Sequence, residues 1–184
     1  MATADREKTS LILLSGIFSM LLLTCITLSE PFANEFFLFS EYSAKHICPS
    51  TWFYYRSNCY NLILMRKEWS DAESYCKNLG SGTNLASIHG KSEASIIGSY
   101  ISALEMDEPV WIGLHKSGET WEWTDGTIYK YKAWYANESE PSENTGNCVD
   151  LLPIQYFITW ESSTCKLAKH FICKWRLPAK TKET

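Results

Sequence analysis

Six cysteines lie between residues 48 and 173, all beyond a leading apolar run, and they restrict the possible folds more than any other feature of the chain. Cys48, Cys59, Cys76, Cys148, Cys165 and Cys173 form an even set; the seventh, Cys25, sits inside the apolar run. In an exported domain six cysteines read as three disulfides, and spacing alone leaves fifteen pairings open. Zinc is the rival use of such residues. The chain has no CxxC pair, and His46, His89, His115 and His170 are scattered, so no metal site is expected.

The apolar run, Leu11 to Leu28, is long for a signal-peptide core and short for a membrane span. Small residues at Thr27 and Ser29 suit cleavage before Glu30, which makes 1–29 a signal peptide; retention as an uncleaved anchor is the alternative. Either way the remainder lies outside the cytosol. The sequon Asn137-Glu138-Ser139 fits that compartment and marks Asn137 as a glycosylation acceptor on a surface loop.

With 184 residues, 45% hydrophobic and 14% aromatic, the chain is large enough for one packed domain with short flanking segments. The formal charge of −4 and the lack of a long basic run argue against nucleic acid as a partner. Residues 30–47 show no period and read as an amino-terminal arm. "WFYYRSNCYNLIL" (52–64) reads as a β-hairpin turning at Arg56-Ser57-Asn58. Ser70 and Glu73 form a capping box ahead of Ala72, Tyr75, Cys76 and Leu79 at helical spacing, with Gly80 as the stop. A second helix fits Ser92 to Glu105, its apolar face made by Ala94, Ile97, Ile101 and Leu104. After Pro109 the chain turns to short strands: "VWIGLH", "TWEWTDGTIYKYKAW", "NCVDLL", "FITWESSTC" and "KHFICKW". Early helices and late strands predict an α+β fold with antiparallel sheets.

"WIGLH" (111–115), "WEWTDG" (121–126) and the cysteine arrangement resemble the C-type lectin-like domain over Cys48 to Trp175. The resemblance implies two helices, antiparallel sheets and a long loop region in a domain spanning 48–176, followed by a tail at 177–184. It also implies the pairing Cys48–Cys59, Cys76–Cys173 and Cys148–Cys165. "WSDAESYC", "LASI", "SEASIIGSYIS" and "FITWESSTC" are most similar to the regenerating islet-derived secretory lectins, in particular their type-four branch. That implies a secreted protein binding glycans without calcium, with mannan-like or microbial surface polysaccharide as partners and a role in epithelial growth or defence. A type II membrane receptor and a growth-factor-like module binding a protein ligand at the cell surface are the alternatives.

The type-four resemblance places sugar contacts in the loop after "WIGLH", here Lys116, Ser117, Gly118, Glu119 and Thr120, and before the "F-x-T-W" strand, here Ile154, Gln155 and Tyr156. The loop residues themselves differ from the relative, so location carries over more safely than chemistry. Trp111, Trp121, Trp123 and Trp160 read as core, whereas Trp134 and Tyr135 are candidates for exposed stacking platforms. From Lys166 to Lys182 there are six Lys or Arg and no acid, a stretch able to attract sulfated glycans or simply a solvated strand and tail.

Two absences complete the expectation. No G-x-S-x-G, H-E-x-x-H or paired-carboxylate constellation suggests an enzyme or a cofactor. The segment "SEPSENTGNC" (139–148) resembles the family's calcium loop but departs from it. Glu140 remains, able to bond a sugar hydroxyl directly; Ser142 replaces an amide, Gly146 stands where a Glu is wanted, and Trp160 is followed by Glu161-Ser162 rather than Asn-Asp. Calcium wants six to eight oxygens with acidic groups among them, so no metal is expected there.

Overall fold

The computed structural model describes residues 48–135 and 146–178. The expected signal peptide, the arm, Asn137, Glu140 and the last six residues lie outside the described residues.

The chain opens with β1 (Phe53–Tyr55) and β2 (Asn58–Lys67), paired antiparallel with Tyr55 opposite Asn58. Arg56 and Ser57 both take positive φ, 44° and 63°, the pattern of a two-residue hairpin turn that matches strand twist. Helix α1 (Trp69–Asn78) and helix α2 (Lys91–Ala103) flank β3 (Thr83–Leu85). The remaining strands are β4 (Val110–Ser117), β5 (Thr120–Trp123), β6 (Cys148–Leu151), β7 (Trp160–Ser163) and β8 (Lys169–Arg176).

All eight strands belong to one sheet, ordered β1-β2-β8-β4-β6-β7, with β3 added to β8 and β5 to β4. The pairings are antiparallel except for β4 on β8, where Val110 meets His170 and Trp111 meets Phe171 in parallel. The α+β class therefore stands, with a mixed sheet in place of a purely antiparallel one. Segment 127–133, expected to continue a strand, forms none. The Asp125 carboxylate accepts from the Thr127 amide (3.0 Å) and from its hydroxyl, and so draws the backbone out of the ladder.

The disulfides are Cys48–Cys59, Cys76–Cys173 and Cys148–Cys165, the set implied by the resemblance. Cys76–Cys173 ties α1 to β8, the strand on which β2, β3 and β4 all converge.

Helix α1 begins one residue before the expected cap. Its N-cap is Glu68, without a side-chain cap, and Ser70 lies inside the helix. Tertiary partners take over the box. The Trp69 amide donates to the Cys165 carbonyl (3.0 Å), and buried Glu73 accepts from the Leu85 amide (2.7 Å) instead of reaching back. In α2, Ala94, Ile97, Gly98 and Ile101 are buried as the period predicts, whereas Leu104, one residue past the helix, is exposed. Two apolar clusters result. One packs α2 and the Trp-rich loops against β4, β6 and β7; the other packs α1 against Trp111 and Phe171.

Candidate functional site

The first candidate loop is a hairpin turn between β4 and β5. Ser117 pairs with Thr120, leaving Gly118 and Glu119 as the central pair. Gly118 has φ 61° and Glu119 no positive φ, the glycine-first pattern of a II′ turn. The Thr120 hydroxyl closes the turn on the Ser117 carbonyl (3.2 Å), and Ser117, Gly118, Glu119 and Thr120 are exposed while Lys116 is half-buried. The Lys116 amide donates to the Asn147 carbonyl (2.8 Å), so this turn adjoins the point where the chain leaves segment 136–145.

The second candidate loop is a left-handed turn. Gln155, Tyr156 and Phe157 have φ of 55°, 57° and 59° in succession, each a conformation that L side chains adopt at a cost of about 1–2 kcal/mol. Phe157 holds the turn by filling the core, and the Tyr156 and Phe157 amides donate to the Pro153 and Leu152 carbonyls (3.2 and 3.1 Å). Ile154, Gln155 and Tyr156 are pushed outward, Tyr156 with 77% of its surface exposed. The turn also leans on α2: a Cβ on Gly98 would run into the Tyr156 carbonyl oxygen. That glycine, mid-helix and otherwise unfavourable, exists for the close approach.

The two loops do not form one site. Val110 at the start of β4 is opposite Leu151 at the end of β6, with the 154–156 turn beyond it; Ser117 is at the far end of the same strand. Seven residues of strand separate them, roughly 20 Å. Any contact with a sugar at both turns needs an extended chain or two separate units.

Gly146 has φ 121°, and a Cβ there would overlap the Ser163 carbonyl and lie 2.6 Å from the Thr164 nitrogen. The backbone at Gly146, where the resemblance expects a Glu in calcium-binding members, lies so close to Ser163 and Thr164 that a Cβ in this conformation would displace backbone atoms. On β7 itself Glu161 is exposed and Ser162 buried. Asp150, opposite Glu161, is fully buried and turned to Lys169 and the Ser163 hydroxyl (2.7 Å). Burial nevertheless pushes the Asp150 carboxyl above its ordinary range, against the pull of Lys169. Among the described residues no three His, Cys, Asp or Glu side chains gather as a metal set.

Trp111, Trp121, Trp123 and Trp160 are buried, as the strand pattern suggested. Trp134 is buried too, which corrects its reading as an exposed platform. It packs 5.0 Å from Trp121 and 5.9 Å from Trp160 by ring centroids, and its Nε1 donates to the Tyr129 hydroxyl (2.9 Å). Only Tyr135 is exposed. Of the four described members of the basic stretch, three are paired: Lys166 with Glu68, Lys169 with Asp150 and Lys174 with Glu93.

One polar constellation has no sequence signal. Lys174 on β8, 7% exposed, donates to Glu93 (2.9 Å) and to the Ser87 carbonyl (2.9 Å) and hydroxyl (3.2 Å). Glu93 also accepts from the Tyr60 hydroxyl and the His89 amide (2.7 Å). Burial opposes ionisation of Glu93, but Lys174 and these hydrogen bonds prevail and hold its carboxyl below the usual range. Burial, then the Glu93 charge, pushes the Tyr60 phenol up. Burial and Lys174 lower the His89 imidazole. Ser87 and Thr127 both give their hydroxyl protons to Asp125, so His89 Nε2, 3.0 Å and 3.2 Å from those oxygens, must be the donor. Glu93 lies beside the apolar stripe of α2, one turn before Ile97, and nothing in its neighbours along the chain names Lys174 or Tyr60 as its partners.

Residues 65–175 match the C-type lectin domain model. Over 131 residues the chain is 39% identical to human regenerating islet-derived protein 4, covering 70% of this chain and 81% of the relative. The chain belongs to the regenerating islet-derived branch of the C-type lectin family. Consistent with that membership, human lithostathine superposes with a TM-score of 0.66 at 35% identity, covering 70% of this chain and 99% of the other. A C-type lectin mannose-binding isoform of Notechis scutatus scutatus is 35% identical over 130 residues, 69% of this chain and 82% of that relative. The family is one of lectins, and the described part of this member contains no helix long and apolar enough to cross a membrane.

Proposed function

We propose that this protein is a secreted lectin that binds glycans without calcium, taking mannose-type chains or microbial surface polysaccharide at two separate turns, Lys116–Thr120 and Ile154–Tyr156. The observation that carries the reading is the packing of Gly146 on Ser163 and Thr164, which supports the lack of a carboxylate where the resemblance expects calcium-binding members to carry a Glu. Glu161 and Ser162 at the β7 end supply one exposed carboxylate where calcium needs several oxygens with acidic groups among them. Mannose as the sugar class is supported by the name of the Notechis relative. At both turns, exposed hydroxyl, carboxylate, amide and phenol groups are available to bond sugar hydroxyls.

Mannan pull-down in excess chelator tests the reading, with retained binding the expected result. Loss of binding on chelation, or micromolar calcium affinity by calorimetry, would refute calcium independence. Secretion is tested by mass spectrometry of the exported protein, whose amino terminus is expected near Glu30; an intact Leu11–Leu28 run would identify a membrane-anchored form.

A further inference from the structure

Two adjoining cavities, of about 310 and 250 Å³, open beside the β1–β2 turn and share Arg56, Asn58, His89 and Lys174 as walls. They form one groove that shares no residue with either loop discussed above. Its floor is the polar network of Glu93, Lys174 and Asp125, whose charges satisfy one another or local hydroxyls. Its rim is different. Arg56, Lys91 and Arg176 are exposed, and among the described residues none of them has a carboxylate partner. The nearest ring contact is the Arg56 guanidinium 5.2 Å from the Tyr55 centroid, which holds the fork over the groove wall without neutralising it. Four cations therefore face two carboxylates in a chain whose overall formal charge is −4.

We infer that this groove is a further saccharide site, separate from both turns and specific for a sugar that carries a single carboxylate, such as a uronic or sialic acid. Three features select that class. Two guanidinium forks at the rim match the planar, two-oxygen geometry of a carboxylate. Acceptors on the floor, the Asp125 carboxylate and the Thr127 hydroxyl oxygen that has given away its proton, suit sugar hydroxyls. Those same floor carboxylates repel a densely charged polyanion, and cavities at the small end of the ligand range hold one or two rings rather than a long chain.

Calorimetric titration of the secreted protein tests the assignment, using glucuronate, N-acetylneuraminate, glucose, acetate and sulfate as probes. At least one acidic sugar is expected to bind about tenfold or more tighter than glucose and than either simple anion, the ratio expected for charge-assisted hydrogen bonds added to hydroxyl contacts. Which acidic sugar is tighter separates the two sources. The double variant Arg56→Ala/Arg176→Ala is expected to lose that preference while melting like the parent and retaining mannan binding. Arg56→Lys/Arg176→Lys, which keeps charge but not the fork, is expected to lose most of it. Equal binding of glucose, binding of acetate or sulfate as tight as that of the acids, no acid binding at millimolar concentration, or an unchanged preference in the alanine variant would each overturn the inference.

Discussion

Replacing Gly146 by Ala adds one methyl group at a position where the structure provides neither room nor a permitted backbone. At φ 121° an L residue carries roughly 1–3 kcal/mol of strain. The new Cβ would also overlap the Ser163 carbonyl, a backbone group that cannot swing aside as a side-chain tip can; displacing packed atoms of this kind adds about 1–3 kcal/mol. A stiffer unfolded chain returns about 0.4–1 kcal/mol. The net loss is therefore about 1–5.6 kcal/mol, each kcal/mol lowering the melting temperature by about 4 °C in a domain of this size. Gly126 supplies the control. It has φ 72° and nothing within 4 Å of its absent Cβ, so Gly126→Ala carries the backbone strain of about 1–2 kcal/mol and the same unfolded-chain return without the overlap, a net of about 0–1.6 kcal/mol. Urea denaturation of both variants, read by midpoint at constant slope, separates the two contributions. Equal losses in the two variants would refute the close packing of Gly146 on β7, and with it the physical support for the lack of a carboxylate there. Gly146→Glu is expected to lose stability without gaining calcium affinity.

Further outcomes follow from the same contacts. Glu93→Gln is expected to destabilise by about 1–3 kcal/mol at neutral pH, because Lys174 loses its counter-charge and the new NH2 group must face a donor, either Lys174 and Tyr60 or the His89 amide. Since the folded Glu93 carboxyl lies below its ordinary 4.5, the unfolded chain binds the extra proton first, and this stabilisation, present above about that pH, is lost as pH falls through the lowered value. The gap between parent and variant in acid titration should therefore close below pH 4.5; a gap that widens would refute the assignment. Removing Cys76–Cys173, which closes 97 residues, should cost about 5 kcal/mol against about 3 for Cys48–Cys59, which closes 11, by denaturant melts of the paired Ala variants. Gln155→Gly should match or exceed the parent in stability while Gln155→Val falls below it by about 1–3 kcal/mol, since only glycine adopts φ 55° freely. Lys116→Ala/Glu119→Ala and Gln155→Ala/Tyr156→Ala should each weaken mannan binding independently with stability changed by about 0.5 kcal/mol or less; unaltered binding in both would move the sugar elsewhere.

Local chemistry was enough to place both helices, the β1–β2 hairpin and most strands, because their apolar residues recur at the period of the element they build. The same holds for the buried Trp111, Trp121, Trp123 and Trp160, whose strand positions alternate toward the core. The disulfide pairing came from resemblance, since spacing carries no information about which cysteines meet. What the sequence could not contain were partners brought together from distant segments. Ser70 and Glu73 have the right spacing for a capping box, yet the Leu85 amide claims the Glu73 carboxylate and the helix begins a residue earlier, where the Trp69 amide is held by Cys165. Trp134 precedes a surface sequon and reads as exposed, but the Asp125 turn folds its segment back onto Trp121 and Trp160. Gly146 announces only an absent side chain; that a Cβ there would displace backbone atoms is decided by Ser163 and Thr164. Arg56, Lys91, Lys174 and Arg176 line one groove only because β8 lies beside β2 and Glu93 at the start of α2 meets Lys174. Periodicity is a property of neighbours in sequence, whereas a site is a property of neighbours in space, and only the pairing of strands converts one into the other.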